Sequence, residues 1–241
     1  MPPQTQRICL TGPATERAAR RWIDAVHAAG WSPVHLPLVR IEPVAIDARR
    51  VAADPAFVAV TSQNALAALK RLWAERPDVK DAPHAAVGVA TARALRVLGV
   101  DPALVGPSAD AGAKALAEGL VERTERGQSV LWPRGSRAED LRDLLQRAGR
   151  AVDAPVAYRT VDVEGSVLPK RLDAAFFASP SAVQVWLRAP DAPRVTAVAI
   201  GQTTQTELAP EYARFRRIVR LDEPSPRALR TALERLTSGA G

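Results

Sequence analysis

Apolar residues recur along this chain in two alternating rhythms. Short runs of four to six, RICLT at 7–11, FVAVT at 57–61, HAAVGV at 84–89, SVLW at 129–132, AAFFA at 174–178 and VTAVAI at 195–200, read as buried strands. Between them the spacing turns helical. Residues 14–29 set Ala18, Trp22, Ala25, Val26 and Ala29 on one stripe and stop at Gly30, while 90–98 stops at Gly99 and 111–123 forms another amphipathic stretch. Residues 137–148 place Ala138, Leu141, Leu144, Leu145 and Ala148 together, with a capping box at Ser136-Arg137-Ala138-Glu139 and an end at Gly149. A last helix opens at Ser225-Pro226 and turns Leu229, Ala232, Leu233 and Leu236 inward. Strands alternating with helices from end to end predict an α/β fold with parallel sheets.

The same order of pieces occurs twice. Segment 7–30 resembles 129–149, each a strand, a proline-containing turn, an amphipathic helix and a glycine. FVAVTSQNALAAL at 57–69 resembles AFFASPSAVQVWL at 175–187, setting Ser62 against Ser179 and Asn64 against Ser181. AVGVATARAL at 86–95 resembles AIGQTTQTEL at 199–208, setting Gly88 and Thr91 against Gly201 and Thr204. Two similar lobes are expected. Two proline-punctuated, β-forming stretches, 33–46 and 155–163, read as extended connectors between them.

At these repeated turns a strand ends on a small polar residue or glycine and a helix starts at once. Ser62 and Ser179 stand where an N-cap belongs, and Gly88 and Gly201 where the backbone turns sharply. Such turns leave the first helical N–H groups aimed outward, where the helix dipole favours an anion. Four of them suit a ligand with several negative groups.

Composition narrows the choice. The 241 residues are 47% apolar, enough for one large or two small cores, and 33 Lys plus Arg against 26 Asp plus Glu leave a net charge of +7. Most of the arginines alternate with acids at helical spacing, as in Glu139, Asp140, Arg142, Asp143 and Arg147, which describes a solvated helix face. The one dense run is Arg214, Arg216, Arg217 and Arg220, and aromatics are only 5% of the chain, so no base-stacking platform and no nucleic-acid partner is expected.

Other chemistries fail on spacing. His27, His35 and His84 stand in no metal-ligand register with one another or with Cys9, so no metal is expected. Phosphate-loop, dinucleotide and nucleophile-elbow motifs are absent. Cys9 lies inside the first strand pattern, where it reads as a small buried hydrophobe. A single cysteine fits a reducing compartment, and neither a leader-like start nor a run of ~18 apolar residues is present, so a soluble, cytoplasmic protein is expected.

Taken together, Val60-Thr61-Ser62-Gln63-Asn64-Ala65, Val87-Gly88 with Thr91-Ala92, Val156-Ala157-Tyr158, Ala178-Ser179-Pro180-Ser181-Ala182-Val183 and Ile200-Gly201-Gln202-Thr203-Thr204 resemble, in order and spacing, the uroporphyrinogen-III synthase family. The resemblance implies two flavodoxin-like, parallel-sheet lobes joined by a two-stranded β linker, the first lobe discontinuous: 1–36 with 163–241, then 42–157, with linker strands 37–41 and 158–162. It implies a cofactor-free, monomeric lyase that closes the linear tetrapyrrole hydroxymethylbilane to uroporphyrinogen III, with loss of water and inversion of ring D.

By matched position, Tyr158 is the proton-donor candidate. Thr11, Ser62, Asn64, Gly88, Thr91, Arg134, Ser179, Ser181, Gly201, Thr203 and Thr204 are the substrate-binding ones. An unperturbed phenol, with a pKa of ~10, is a weak acid at neutral pH, so folding of the bilane is expected to matter more than proton transfer. Two departures stand out. Gly12 replaces the arginine of the family's Thr-Arg-Pro turn, and Asn64 stands where many members carry a basic side chain, with Arg134 as a compensating cation or a plain helix-entry residue. They motivate an alternative, a catalytically silent module that binds a tetrapyrrole or another polycarboxylate.

Overall fold

A computed structural model of the chain describes residues 5–107, 112–138 and 140–239. β1 (Arg7–Leu10) leads through α1 (Glu16–Ala28) to β2 (Ser32–His35) and β3 (Val39–Pro43). Next come β4 (Phe57–Val60), α2 (Leu66–Glu75), α3 (Pro77–Asp81), β5 (His84–Ala86), α4 (Val89–Val97) and β6 (Leu104–Val105). α5 (Gly112–Arg123), β7 (Ser129–Leu131), β8 (Arg134–Gly135), α6 (Asp140–Arg147) and β9 (Ala151–Asp153) follow. Then β10 (Val156–Asp162) precedes β11 (Ala174–Phe177), α7 (Pro180–Arg188), β12 (Thr196–Ala199), α8 (Gln202–Leu208), β13 (Arg217–Arg220) and α9 (Pro226–Thr237).

The chain forms two compact units, one holding the segments up to Arg40 and from Val161 onward, the other holding Ile41–Thr160. Each is built on a five-stranded parallel sheet, in the order β13-β12-β11-β1-β2 in the first and β6-β5-β4-β7-β9 in the second. Starting the first unit at β11 makes both sheets read third, second, first, fourth, fifth strand. The units therefore share one architecture, with the chain start of the first moved to just before its fourth strand. This permutation is why the segments 7–30 and 129–149 resemble each other.

Both sheets are covered on both faces, as parallel sheets require. In the first unit Ile8 and Leu10 face α1 and α9, where Trp22 stacks on Phe176 with ring centroids 4.8 Å apart. Cys9 faces the other way with Phe177, which meets Trp186 and Phe215 edge-on. In the second unit Val58 and Val60 pack with Leu69, Leu72 and Leu95, and Phe57 and Ala59 pack with Leu116, Leu120, Leu141 and Leu145. Period-two alternation in the strands thus divides each core between two helical layers.

Local chemistry sets the helix ends. Thr15, Ser179 and Ser225 accept hydrogen bonds from Ala18, Ala182 and Ala228 N–H, and Pro180 and Pro226 open their helices where no intrahelical donor is needed. Gly30 and Gly149 take φ of +78° and +77° after α1 and α6, a conformation that favours glycine.

Several expectations need correction. Residues 32–35 are not part of a connector but the edge strand β2, in register with β1 from Arg7↔Ser32 to Leu10↔His35. Pro33 is tolerated there because an edge strand bonds on one side only. The buried stripe of α1 is Ala19, Trp22 and Val26, with Ala18 exposed. Ser62 fronts a 3₁₀ turn, Gln63–Ala65, before α2 begins. The dense arginine run lies on and before the edge strand β13, with Arg217 and Arg220 exposed and Arg214 bonded to the Leu187 carbonyl. Glu139 of the expected capping box lies outside the described residues.

The chain passes between the units on β3 and β10, which together with β8 make a third sheet ordered β3-β10-β8. Its ends are fastened by Val44 N–H to Ala157 O at 2.8 Å and Val163 N–H to Leu38 O at 2.9 Å. The strands run over 39–43 and 156–162, against the 37–41 and 158–162 that the resemblance implies.

Among the described residues one titratable group is embedded in the second unit. His84 opens β5 with 1% exposure, and its Nδ1–H donates to Ala82 O at 2.7 Å, since a carbonyl can only accept. Its Nε2 and the indole N–H of Trp73, whose ring meets it edge-on, have no partner among the described residues. Burial holds the imidazole below its ordinary 6.5. The folded chain therefore resists a proton that the unfolded chain takes up below ~6.5, so stability is complete above that pH and falls as pH drops through it. The expected loss is at most about 1.4 kcal/mol per pH unit. His84→Asn keeps an N–H for Ala82 O without titrating. Its melting curves between pH 7.5 and 5.5 should be flatter than those of the unsubstituted chain, and equal slopes would remove His84 from the acid response.

Candidate active site

In a parallel α/β sheet the turns leaving the strands all lie at one edge, and ligands bind there. In the second unit this edge gathers several of the expected residues. The Gln63–Ala65 turn lies against both α4 and β8, so the Ser62–Asn64 segment, the start of α4 and Arg134–Gly135 are neighbours. Trp132 fastens the group from behind, its indole N–H donating to Thr61 Oγ1 at 3.0 Å.

The turns differ in what they leave available. Ser62 Oγ accepts the Asn64 N–H at 3.2 Å, and Ser179 Oγ accepts the Ala182 N–H at 3.3 Å, so both serines spend acceptor capacity on their own helix entries. Asn64 is exposed and Ser181 half-buried in the first turn of α7. By contrast, α4 and α8 begin at Gly88 and Gly201 with no side-chain cap at all. Thr91 is 6% exposed in the first turn of α4. At the matching place in α8, Thr204 is 1% exposed with no partner for Oγ1 among the described residues, next to the exposed Thr203. The glycine turns, rather than the serine turns, keep their first N–H groups free of side-chain acceptors.

Two expected contacts have other employment. Thr11 is fully buried, and its hydroxyl and N–H both donate to Phe176 O, at 2.8 and 3.1 Å. Arg134 spreads its guanidinium over the carbonyls of Ala154, Gly135, Ser136 and Ala138, at 3.3, 3.2, 3.4 and 2.9 Å. It clamps the turn between β8 and α6. A Cβ on Gly12 would come within 3.3 Å of the Ala178 Cβ, tighter than ordinary contact.

Tyr158 sits on β10, half-buried, with its ring against the core under α2 and α4. The strand pairing puts it opposite Gly135, and Ser136 N–H donates to its carbonyl at 3.0 Å. Gly135 was not anticipated from sequence. A Cβ built there would lie 2.7 Å from Tyr158 Cζ and 2.8 Å from Cε2 and Oη. The phenol occupies the space a side chain would take, so the glycine fixes where the hydroxyl stands. In the sequence WPRGSR this glycine reads only as a turn residue, because its partner is distant along the chain.

The cysteine and the histidines of the first unit are held in other ways. Burial pushes the Cys9 thiol up to about 12, too high for a nucleophile at neutral pH. His27 is exposed on α1, and the His35 Nε2–H donates to Pro13 O at 2.8 Å. Among the described residues no group of three or more His, Cys, Asp or Glu could hold a metal ion, and no helix is long and apolar enough to cross a membrane.

Gly135→Ala should force the Tyr158 ring aside or open the β8–β10 pair, at a cost of about 1–3 kcal/mol. Tyr212 is the other tyrosine of the chain and is exposed, so the measurement is made in a Tyr212→Phe background. Nitration of Tyr158 by tetranitromethane should then change in rate, whereas unchanged nitration and unchanged melting would mean that the ring is not held at Gly135.

Comparison with known proteins gives a consistent answer. Residues 20–229 match the family model described as uroporphyrinogen-III synthase HemD. Among solved structures, a mutant uroporphyrinogen III synthase from the extremely thermophilic bacterium Thermus thermophilus superposes with a TM-score of 0.69 at 20% identity, covering 97% of this chain and 100% of that one. Uroporphyrinogen-III synthetase from Helicobacter pylori gives 0.63 at 18% identity, covering 95% and 99%. No curated protein sequence matches.

Proposed function

Since the chain belongs to the uroporphyrinogen-III synthase family, whose members close hydroxymethylbilane to uroporphyrinogen III with loss of water and inversion of ring D, we propose how its own residues carry out that reaction. The two units are read as flavodoxin-like lobes, residues 1–36 with 163–241 and 42–157, permuted relative to each other and joined by two β strands. Their matching strand orders support that reading.

The substrate carries eight carboxylates, and the chain answers with hydrogen-bond donors more than with fixed cations. The uncapped first turns at Gly88 and Gly201 supply backbone N–H groups for carboxylate oxygens, helped by the positive ends of the helix dipoles. Thr203 adds an exposed hydroxyl at the α8 turn, Thr91 and Thr204 back the two turns from their buried positions, and Ser62, Asn64, Ser179 and Ser181 extend the two sets. Thr11 holds β1 to β11 below the Ser179 turn, and Arg134 holds the turn between β8 and α6. Net positive charge raises the rate of capture, while the ordered donors set the fold of the bound bilane.

The observation that carries the mechanism is the Tyr158 phenol held against Gly135 on the edge that also bears the Gly88 turn. Its O–H protonates the departing hydroxyl, water leaves, and an electrophilic azafulvene remains. Attack by the substituted α-carbon of ring D gives the spiro intermediate. Reopening and closure in the inverted sense releases a proton from a pyrrole carbon, which restores the phenol directly or through water. A phenol is a weak acid at neutral pH, so holding the bilane in the reactive fold supplies more of the acceleration than proton transfer does.

Hydroxymethylbilane left alone closes to the type I isomer. The chain should direct it to type III, and the isomer ratio of the product with and without protein tests this. Binding of the bilane without type III enrichment would instead mark a silent tetrapyrrole-binding module. Tyr158→Phe should lower turnover about tenfold to a hundredfold with the type III fraction retained, because water can replace a weak acid. An unchanged rate would remove Tyr158 from the acid role.

A further inference from the structure

The opposite edge of the first unit's sheet, where the strands begin, carries a second concentration of chemistry that the reaction does not use. Arg7 starts β1, Lys170 and Arg171 precede β11, Arg194 precedes β12 and Arg216 precedes β13. These strand entrances are locked in register by Asp173 N–H to Arg7 O, Thr196 N–H to Asp173 O and Arg216 N–H to Val195 O, all at 2.9 Å. Neighbouring parallel strands are about 4.8 Å apart, so the entrances span about 14 Å. All five side chains are exposed, and together they line one cavity of about 710 Å³.

The charges in this cavity are not neutralised. Arg7, Lys170, Arg171 and Arg216 have no side-chain hydrogen bond or ion pair among the described residues. Arg194 is fixed by its Nε–H to Phe215 O at 3.2 Å, which leaves its terminal NH₂ groups available. Among the described residues the one carboxylate in the lining is Asp173, whose Oδ2 accepts the Arg7 backbone N–H at 2.8 Å. Like charges brought together on a rigid sheet edge repel one another, and an anion bound among them relieves that repulsion.

We infer that this cavity is a binding site for a linear oligophosphate, free or as the phosphate tail of a nucleotide. Guanidinium forks match phosphate oxygens in pairs, and the volume suits a small ligand. Among the described residues no aromatic side chain lines the cavity, so a base gains nothing by stacking there and a nucleotide should bind through its phosphates alone.

Calorimetric titration of the full chain at ~0.15 M salt tests the inference. Tripolyphosphate should bind one to one, more tightly than pyrophosphate and more tightly again than inorganic phosphate, with ATP within about threefold of tripolyphosphate. Arg171→Glu with Arg194→Glu should weaken tripolyphosphate by about tenfold or more, and Lys170→Gln with Arg171→Gln should show the same direction if the first pair melts early. Lys70→Glu with Lys114→Glu makes the same change in net charge in the other unit and should bind as the unsubstituted chain does. The type III fraction should be unaffected in all of these variants, which separates this site from the tetrapyrrole site. Absent binding, equal weakening by the control pair, ATP far tighter than tripolyphosphate, tighter binding of a single-stranded oligonucleotide of equal charge, or a fall in type III fraction with the loss of binding would each overturn it.

Discussion

Two parallel strands cannot be joined by a tight turn: the chain must return across the face of the sheet, and here it does so through helices. Everything placed in this molecule follows from that. The strands of each sheet end at the same edge, and β4, β5, β11 and β12 pass into helices there, so Ser62, Gly88, Ser179 and Gly201, far apart in sequence, occupy equivalent places on their sheets. Each strand begins at the other edge, so Arg7, Arg171, Arg194 and Arg216 fall in line as well. One connectivity rule produces an edge of hydrogen-bond donors and an edge of cations.

The covering of both faces explains the apolar pattern. Strands such as Phe57–Val60 and Ala174–Phe177 are fully buried, since alternate residues meet different helical layers rather than core and water. The helices need only one apolar stripe each, and their other side carries the abundant arginine. A strongly basic composition is thereby compatible with two well-filled cores.

Small residues decide the geometry of the donor edge. Serines cap their own helices and so consume acceptors locally, whereas glycines cap nothing and leave N–H groups available. At Gly135 the missing side chain is what admits the Tyr158 ring, and Arg134 beside it ties three carbonyls of the following turn to that of Ala154. A cation that looks like a ligand contact in sequence is thus a backbone clamp. A glycine that looks like a turn residue is the seat of the candidate acid.

The sequence alone determined the α/β class, most strand and helix positions, the internal repeat and the family. These rest on short-range periodicity and on turn chemistry confined to a few adjacent residues, which can be read without knowing what packs against what. It did not separate β2 from the connector after it, because an edge strand containing Pro33 has the same local pattern as an extended linker. Nor did it distinguish Thr11 and Arg134, bonded to the backbone, from Thr203 and Asn64, which are exposed, since the partner of a hydroxyl or a guanidinium is fixed by sheet order. The contact of Gly135 with Tyr158 and the alignment of the strand-entry arginines were decided only by tertiary structure: both join residues brought side by side by hydrogen-bond register, a property of paired strands and of no single stretch of chain.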